Sequence, residues 1–245
     1  METSAWPQGV ARHILAETDS TNAEAARVAA TGATGPAWIM AKRQTAGRGR
    51  QGRGWSMEEG NLAASYLTRT RATPAEAATC FVQAAGLAVA DLCAPAGGIT
   101  LKWPNDVLVN GRKVAGILIE NLGPGADGAL SVIVGIGINL RHAPPPEVQR
   151  WPATSLAAEG AVPPSPETAL AILADRLSHW LAVPVEIRHG AWRDRLHGLG
   201  QRIEARLPNN TLTGVFDGVD ADGSLVLRTP TGQRRIAAAD VFFAE

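Results

Sequence analysis

Asp106-Val107-Leu108-Val109-Asn110-Gly111-Arg112-Lys113-Val114-Ala115-Gly116-Ile117-Leu118-Ile119-Glu120 is the stretch that decides the fold class. Two apolar runs flank Asn110-Gly111, and Asn-Gly suits the two-residue turn whose central residues both take positive φ. The stretch therefore reads as a hairpin, Asp106 to Val109 and Lys113 to Glu120. A doubly wound parallel sheet would join its strands through helices instead.

Outward from the hairpin, strand-like and helix-like runs mix without regular alternation. Toward the N-terminus, Ile99 to Trp103, Leu62 to Thr68, Trp38 to Ala41 and residues 10–16 read as strands. Thr73-Pro74-Ala75-Glu76 has the cap, first-turn proline and capping-box spacing of a helix start, and that helix runs to about Ala94. Thr21 and Glu24 have capping-box spacing before an alanine-rich run. Toward the C-terminus, Leu130 to Ile138 reads as a strand interrupted by Gly135 and Gly137, and His142 to Pro166 as proline-rich and mostly irregular. Ser165-Pro166-Glu167 opens a helix with Leu170, Leu173, Leu177 and Leu181 on one face. After Gly198, short β-like runs (201–207, 211–219, 224–228, 233–237) alternate with turn residues, which predicts a small all-β module of about 45 residues. The expectation is α+β: a mixed sheet with helices over 1–197 and a β module over 198–245.

The 245 residues are 45% hydrophobic and 19% charged, with a formal net charge of zero. That suits a sizeable core, and any anion site must be local, because no global field exists to attract nucleic acid or membrane. No apolar run reaches the roughly 18 residues of a membrane span. Met1 to Arg12 lacks a signal-peptide layout, so the expected address is the cytoplasm. Cys80 and Cys93 fall in one helical segment, too far apart for a disulfide, and read as core thiols.

Four segments carry chemistry. Lys42 to Trp55 holds five cations, four glycines and no acid. Glycines let backbone N–H groups converge on an anion, and arginine fits phosphate and carboxylate. A flexible RNA-binding loop or a solvated turn would share this composition. Leu101-Lys102-Trp103-Pro104-Asn105-Asp106 places one cation at a strand end before a rigid Trp-Pro. In Val132 to Leu140 the Gly135-x-Gly137 pair lacks the third glycine and the helix of a dinucleotide fingerprint. Its glycines read instead as places where a ligand or another backbone meets the strand, with Asn139 at the strand end. Thr18-Asp19-Ser20-Thr21-Asn22 at a helix start is either a cap or a compact polar array for a neutral ligand. The five histidines (13, 142, 179, 189, 197) show no metal spacing.

Taken in order, these segments resemble the biotin–protein ligase family. The match covers Asp19 to Asn22, Gln44 to Arg53, Lys102 to Asp106, Arg112 to Glu120 and Gly135 to Asn139, and the C-terminal module looks like the family's SH3-like domain. The resemblance implies a class II synthetase-like catalytic domain that makes biotinyl-adenylate from biotin and ATP, with Mg2+, and passes biotin to a lysine of a biotin carboxyl carrier protein. It implies that Ser20, Thr21, Asn22 and Gln44 hydrogen-bond the biotin ureido ring. Arg48, Gly49, Arg50 and Lys102 would meet the biotin carboxylate and the α-phosphate, with Lys102 and Arg50 the catalytic cations. Trp55 would stack on adenine and Asn139 contact it, with Arg48, Arg50 and Lys102 also serving ATP. No metal-ligating side chain is expected.

Gln51 stands where some relatives carry a further arginine. The motifs begin at Asp19, which leaves no room for a winged helix, so the expectation is a monofunctional form without specific DNA binding. A homodimer is left open. The sequence identifies no base for the acceptor lysine; Asp106 is the nearest acid in the motifs. Rival readings are a lipoate or octanoyl ligase of related fold, a nucleic-acid-binding module and a non-catalytic biotin sensor.

Overall fold

The structure, a computed structural model, describes residues 6–33, 35–125, 127–145 and 151–243. The start of the Met1–Arg12 stretch and residues 146–150 of the proline-rich segment lie outside them.

Seven strands form one mixed sheet: β1 (Ala11–Thr18), β2 (Ala37–Gln44), β3 (Leu62–Thr70), β4 (Ile99–Lys102), β5 (Asp106–Val109), β6 (Arg112–Pro124) and β7 (Leu130–Ile138). Their order is β1-β2-β3-β7-β6-β5-β4. Only β1 and β2 pair in parallel; the other neighbours are antiparallel. The fold is α+β, as the central hairpin predicts. Asn110 and Gly111 both take positive φ, 49° and 76°, so the turn has the predicted geometry.

Period-2 alternation sorts the sheet's two faces. Trp38, Met40, Tyr66, Val132, Val134, Ile136 and Ile138 join the large core, which α2 (Pro74–Cys93) and α3 (Pro166–Ala182) cover. Thr73 and Glu76 make the reciprocal capping box that the sequence predicts. Leu170, Leu173 and Leu177 are buried, while Leu181 is only partly so. On the opposite face, α1 (Thr21–Ala30) packs Ala25 against Ile39, Leu67 and Ile133. That face carries the site.

Two expectations need correction. Thr21 is the first residue of α1 rather than its cap; Ser20 is the cap and makes no side-chain cap bond. Gln44 captures the Thr21 N–H and hydroxyl, while Glu24 pairs with Arg27. Second, the stretch Pro74–Ala96 is long and apolar enough to cross a membrane by length and composition, but 67% of its apolar window is buried inside the fold, as in a core helix. As expected, the described residues between His142 and Ser165 form no helix or strand, and they are tied to the sheet by backbone bonds: Lys113 N–H donates to Pro152 O, Thr154 N–H to Lys113 O, and Leu156 N–H to Asn139 O.

A fourth helix, α4 (Val185–Arg193), has no counterpart in the sequence reading. The C-terminal module is a five-stranded antiparallel, SH3-like sheet of β8 (Arg202–Arg206), β9 (Thr211–Val219), β10 (Leu225–Thr229), β11 (Gly232–Ile236) and β12 (Asp240–Phe243). Only β12 escaped the sequence reading. The module docks against α2 and the turn after β4: Trp103 Nε1 donates to Gly223 O at 2.9 Å, and Thr79 Oγ1 in α2 donates to Asp222 O at 2.8 Å.

Candidate functional site

A cleft of about 340 Å³ opens over the α1 face of the sheet, and β12 contributes Asp240, Val241 and Phe242 to its wall. Its floor follows from register. Gly137 pairs with Ala63 on one side and Gly116 on the other; Gly135 pairs with Ser65 and Leu118. Each of these residues sits on the α1 face, so the floor is nearly bare around Gly116, Gly137 and Ala63. A Cβ at Gly135 would collide with the Asn22 amide, and one at Gly137 with the Trp55 indole. The Gly-x-Gly pair therefore makes room for two side chains that reach onto the sheet.

One end of the cleft is a polar network of mostly uncharged side chains. Gln44 Oε1 accepts from Thr21 N–H at 2.8 Å and from the Thr21 hydroxyl at 3.2 Å. Ser65 Oγ lies 2.8 Å from Thr21 Oγ1 and 2.5 Å from Asn22 Oδ1. Asn22 Nδ2 donates to Glu120 Oε2 at 2.6 Å, and Arg48 stands 3.8 Å from the other Glu120 oxygen. Ser20, Thr21 and Asn22 are each 4% exposed. Buried polar groups with fixed partners hold one orientation, which is what recognition of a polar ligand needs.

The other end is cationic. Lys102 is 8% exposed, and burial lowers its pKa. Arg50 is also depressed by burial, and its guanidinium donates to Asn105 Oδ1 at 3.4 Å. Asn105 is itself fixed by donating to Ile117 O at 2.6 Å. Lys113, which the sequence reading quoted but gave no role, faces the cleft from β6. Its ammonium lies 2.7 Å from Asp106 and 5.6 Å from the Trp55 ring centroid.

The basic loop is a closed hairpin. Gly49 N–H donates to Arg53 O at 2.7 Å and Trp55 N–H to Gly47 O at 2.9 Å, and Arg53 reaches Asp240 of β12 at 3.0 Å. Gln51 takes φ 57° at its tip. Asn139 is buried at the end of β7, with Nδ2 donating to Thr154 O at 3.0 Å.

All ten residues singled out in the sequence line this one cleft: Ser20, Thr21, Asn22, Gln44, Arg48, Gly49, Arg50, Trp55, Lys102 and Asn139. Asp106 lines it too, engaged by Lys113. Sequence reasoning missed Ser65, Glu120 and Lys113. Alternation along β6, which puts Glu120 on one face with Gly116 and Leu118, was the available signal; Ser65 meets Gly135 only through the β3–β7 register, and Lys113 only through the irregular β5–β6 pairing.

Among solved structures, the fold matches the biotin protein ligase from Aquifex aeolicus in complex with biotin and ATP. The TM-score is 0.78 with 28% identity, over 96% of this chain and 99% of that one. The fold is thus of the biotin protein ligase class. Residues 15–139 match the biotin/lipoate A/B protein ligase family and residues 198–244 the biotin protein ligase C-terminal domain. The biotin–[acetyl-CoA-carboxylase] ligase of Paracoccus denitrificans is 43% identical over 94% of this chain and 99% of its own length. The bifunctional ligase/repressor of Bacillus subtilis is 33% identical over 98% of this chain and 76% of its own length. The chain belongs to the biotin/lipoate A/B protein ligase family.

Proposed function

We infer that the chain is an ATP-dependent biotin–protein ligase. It joins biotin to AMP with release of pyrophosphate, then transfers the biotinyl group to a lysine of a biotin carboxyl carrier protein. The observation that carries this reading is the two-ended cleft, with a locked network of mostly uncharged side chains at one end and a cluster of cations around the buried Lys102 at the other. Biotin has the same polarity: an uncharged ureido ring and a carboxylate.

In this reading Ser20, Thr21, Asn22 and Gln44 bind the ureido ring, with Ser65 and Glu120 orienting them. A site built to pair the ring's N–H groups rejects analogues that lack them. Arg48, Arg50, Lys102 and Lys113, with the Gly49 loop backbone, surround the carboxylate and α-phosphate. Trp55, seated on the glycine floor, stacks the adenine. Asn139 keeps one N–H and its Oδ1 for the base, because Thr154 takes the other N–H.

Both reactants are anions, so alignment and charge neutralisation come first. A biotin carboxylate oxygen bonds to the α-phosphorus as the bond to the β-phosphate oxygen breaks. The carrier lysine amine then attacks the acyl carbon and AMP leaves. Asp106 is engaged by Lys113, so the base for that amine stays unassigned. Among the described residues no group of three or more His, Cys, Asp or Glu could hold a metal. Mg2+ would be held chiefly by the ATP phosphates, whose charge it neutralises.

We further propose residues 1–197 as the catalytic unit and 198–245 as the module that walls the cleft. Zero net charge argues against specific DNA binding, and the expected address remains the cytoplasm. Pyrophosphate release with biotin, lipoate and octanoate as alternative acids tests the function. Biotin alone should support it; preference for either fatty acid would reassign the substrate.

A further inference from the structure

Trp151 joins three parts of the molecule to one ammonium. Its Nε1 donates to Gly111 O at 3.0 Å, in the turn between β5 and β6. Its ring meets Phe243 of β12 edge-on at 5.6 Å and His197 at 6.0 Å, and those two rings lie 4.9 Å apart. Thr100 Oγ1, one strand position on β4 from Leu101, holds His197 Nδ1 at 3.2 Å. The Lys102 ammonium lies over the Trp151 ring, 4.9 Å from its centroid.

A lysine head rides on a flexible four-carbon stem, and order at the head must come from its surroundings. An indole face attracts a cation through the ring quadrupole, more strongly where water is excluded. Lys102 is in such a place, at 8% exposure. Asp106 and Asp240 favour its charge, while Lys113 and Arg53 oppose it. The opposing charges do not fix a position along the stem; the ring, clamped on its edges by Gly111, His197 and Phe243, does.

We propose that Trp151 is a positioning residue for adenylate formation, holding the Lys102 ammonium where the carboxylate and α-phosphate meet. The proposal rests on the placement of Lys102 in the reaction made above. It also gives the C-terminal module a route to the chemistry, through Phe243 and the indole.

The test uses the full chain and its Trp151→Leu, Trp151→Phe, Lys102→Ala and Lys102→Ala/Trp151→Leu variants, with pyrophosphate release and melting temperature as readouts. Trp151→Leu should lower kcat about tenfold, the size of a desolvated cation–π contact, with KM for biotin and ATP changed less than about twofold. Trp151→Phe loses the Nε1 donor but keeps an aromatic face, and should retain most of kcat. The double variant should be no slower than Lys102→Ala, because the ring then has no ammonium to hold. Three results would overturn the proposal: Trp151→Leu with wild-type kcat, Trp151→Phe folded yet as slow as Trp151→Leu, or losses that multiply in the double variant. Wild-type adenylate formation by Lys102→Ala is a separate outcome and would remove the assignment of Lys102 itself.

Discussion

The Trp55 indole occupies the space that a side chain at Gly137 would fill. Two residues along the same strand, the space left by Gly135 receives Asn22. One Gly-x-Gly pair thus seats both the proposed adenine platform and the proposed ureido ligand on a single β-strand.

Gly137→Ala should therefore expel Trp55 from the floor. A base–aromatic stack contributes about 1–3 kcal/mol, so ATP affinity should fall roughly tenfold while biotin affinity changes little. Equilibrium binding of each ligand measures the split. Equal loss of both would mean that the glycine supports the floor in general rather than Trp55.

This relationship also marks how far the sequence could be read. Gly135 and Gly137 announced a close approach, but not what approaches, because the partners lie more than 80 residues away in sequence. Asn110-Gly111 gave the hairpin, and hence the sheet, because a turn is local physics. The Thr73 capping box is local and was legible; the Thr21 box was not, because Gln44 competes for the same groups from another strand. Ser65 and Glu120 look like ordinary strand residues until register aligns them with Gly135 and Asn22. Lys113 lies inside the hairpin motif, yet strict alternation would put it with Ala115 and Ile117 in the core; the irregularity in the β5–β6 pairing at Val107/Leu108 turns it to the cleft instead. The helix α4 and the strand β12 are short, and tertiary packing carries them more than pattern does.

Ser65 is fully buried and bridges Thr21 and Asn22. The hydroxyl has one proton to give, and Asn22 Oδ1 at 2.5 Å is its nearer acceptor, so Ser65→Ala leaves that oxygen without its donor, a penalty of about 1–3 kcal/mol. Biotin affinity should weaken about tenfold by calorimetry, with ATP affinity nearly unchanged. An unaltered biotin affinity would show that the network does not set the ureido site.

Burial lowers the pKa of Lys102 from 10.5, with Asp106 and Asp240 opposing the shift and Lys113 and Arg53 adding to it. The active form is the ammonium, so activity is present below the lowered pKa and lost as pH rises through it. Adenylate formation should decline on the alkaline side before a free lysine would titrate. Lys102→Arg stays charged, and should move that decline to higher pH. A pH–rate profile that is the same in both proteins would contradict the role.

Arg53 ties the basic loop to Asp240 of the C-terminal module. The pair is partly exposed, so it contributes on the order of 0–1 kcal/mol. Asp240→Asn should raise hydrogen exchange of residues 47–54 by up to about fivefold without biotin and ATP, and less with both bound, since the ligands supply the anions the arginines face. Identical exchange in variant and wild type would mean that the module does not steady the loop.

The central claim is that this cleft makes biotinyl-adenylate and delivers biotin to a carrier lysine. The most direct measurement is intact mass of a biotin carboxyl carrier domain after incubation with this protein, ATP, Mg2+ and biotin. The expected result is a gain of one biotinyl group on one lysine, dependent on ATP, and strongly slowed by Lys102→Ala. A carrier of unchanged mass, with the protein folded and both ligands present, would contradict it.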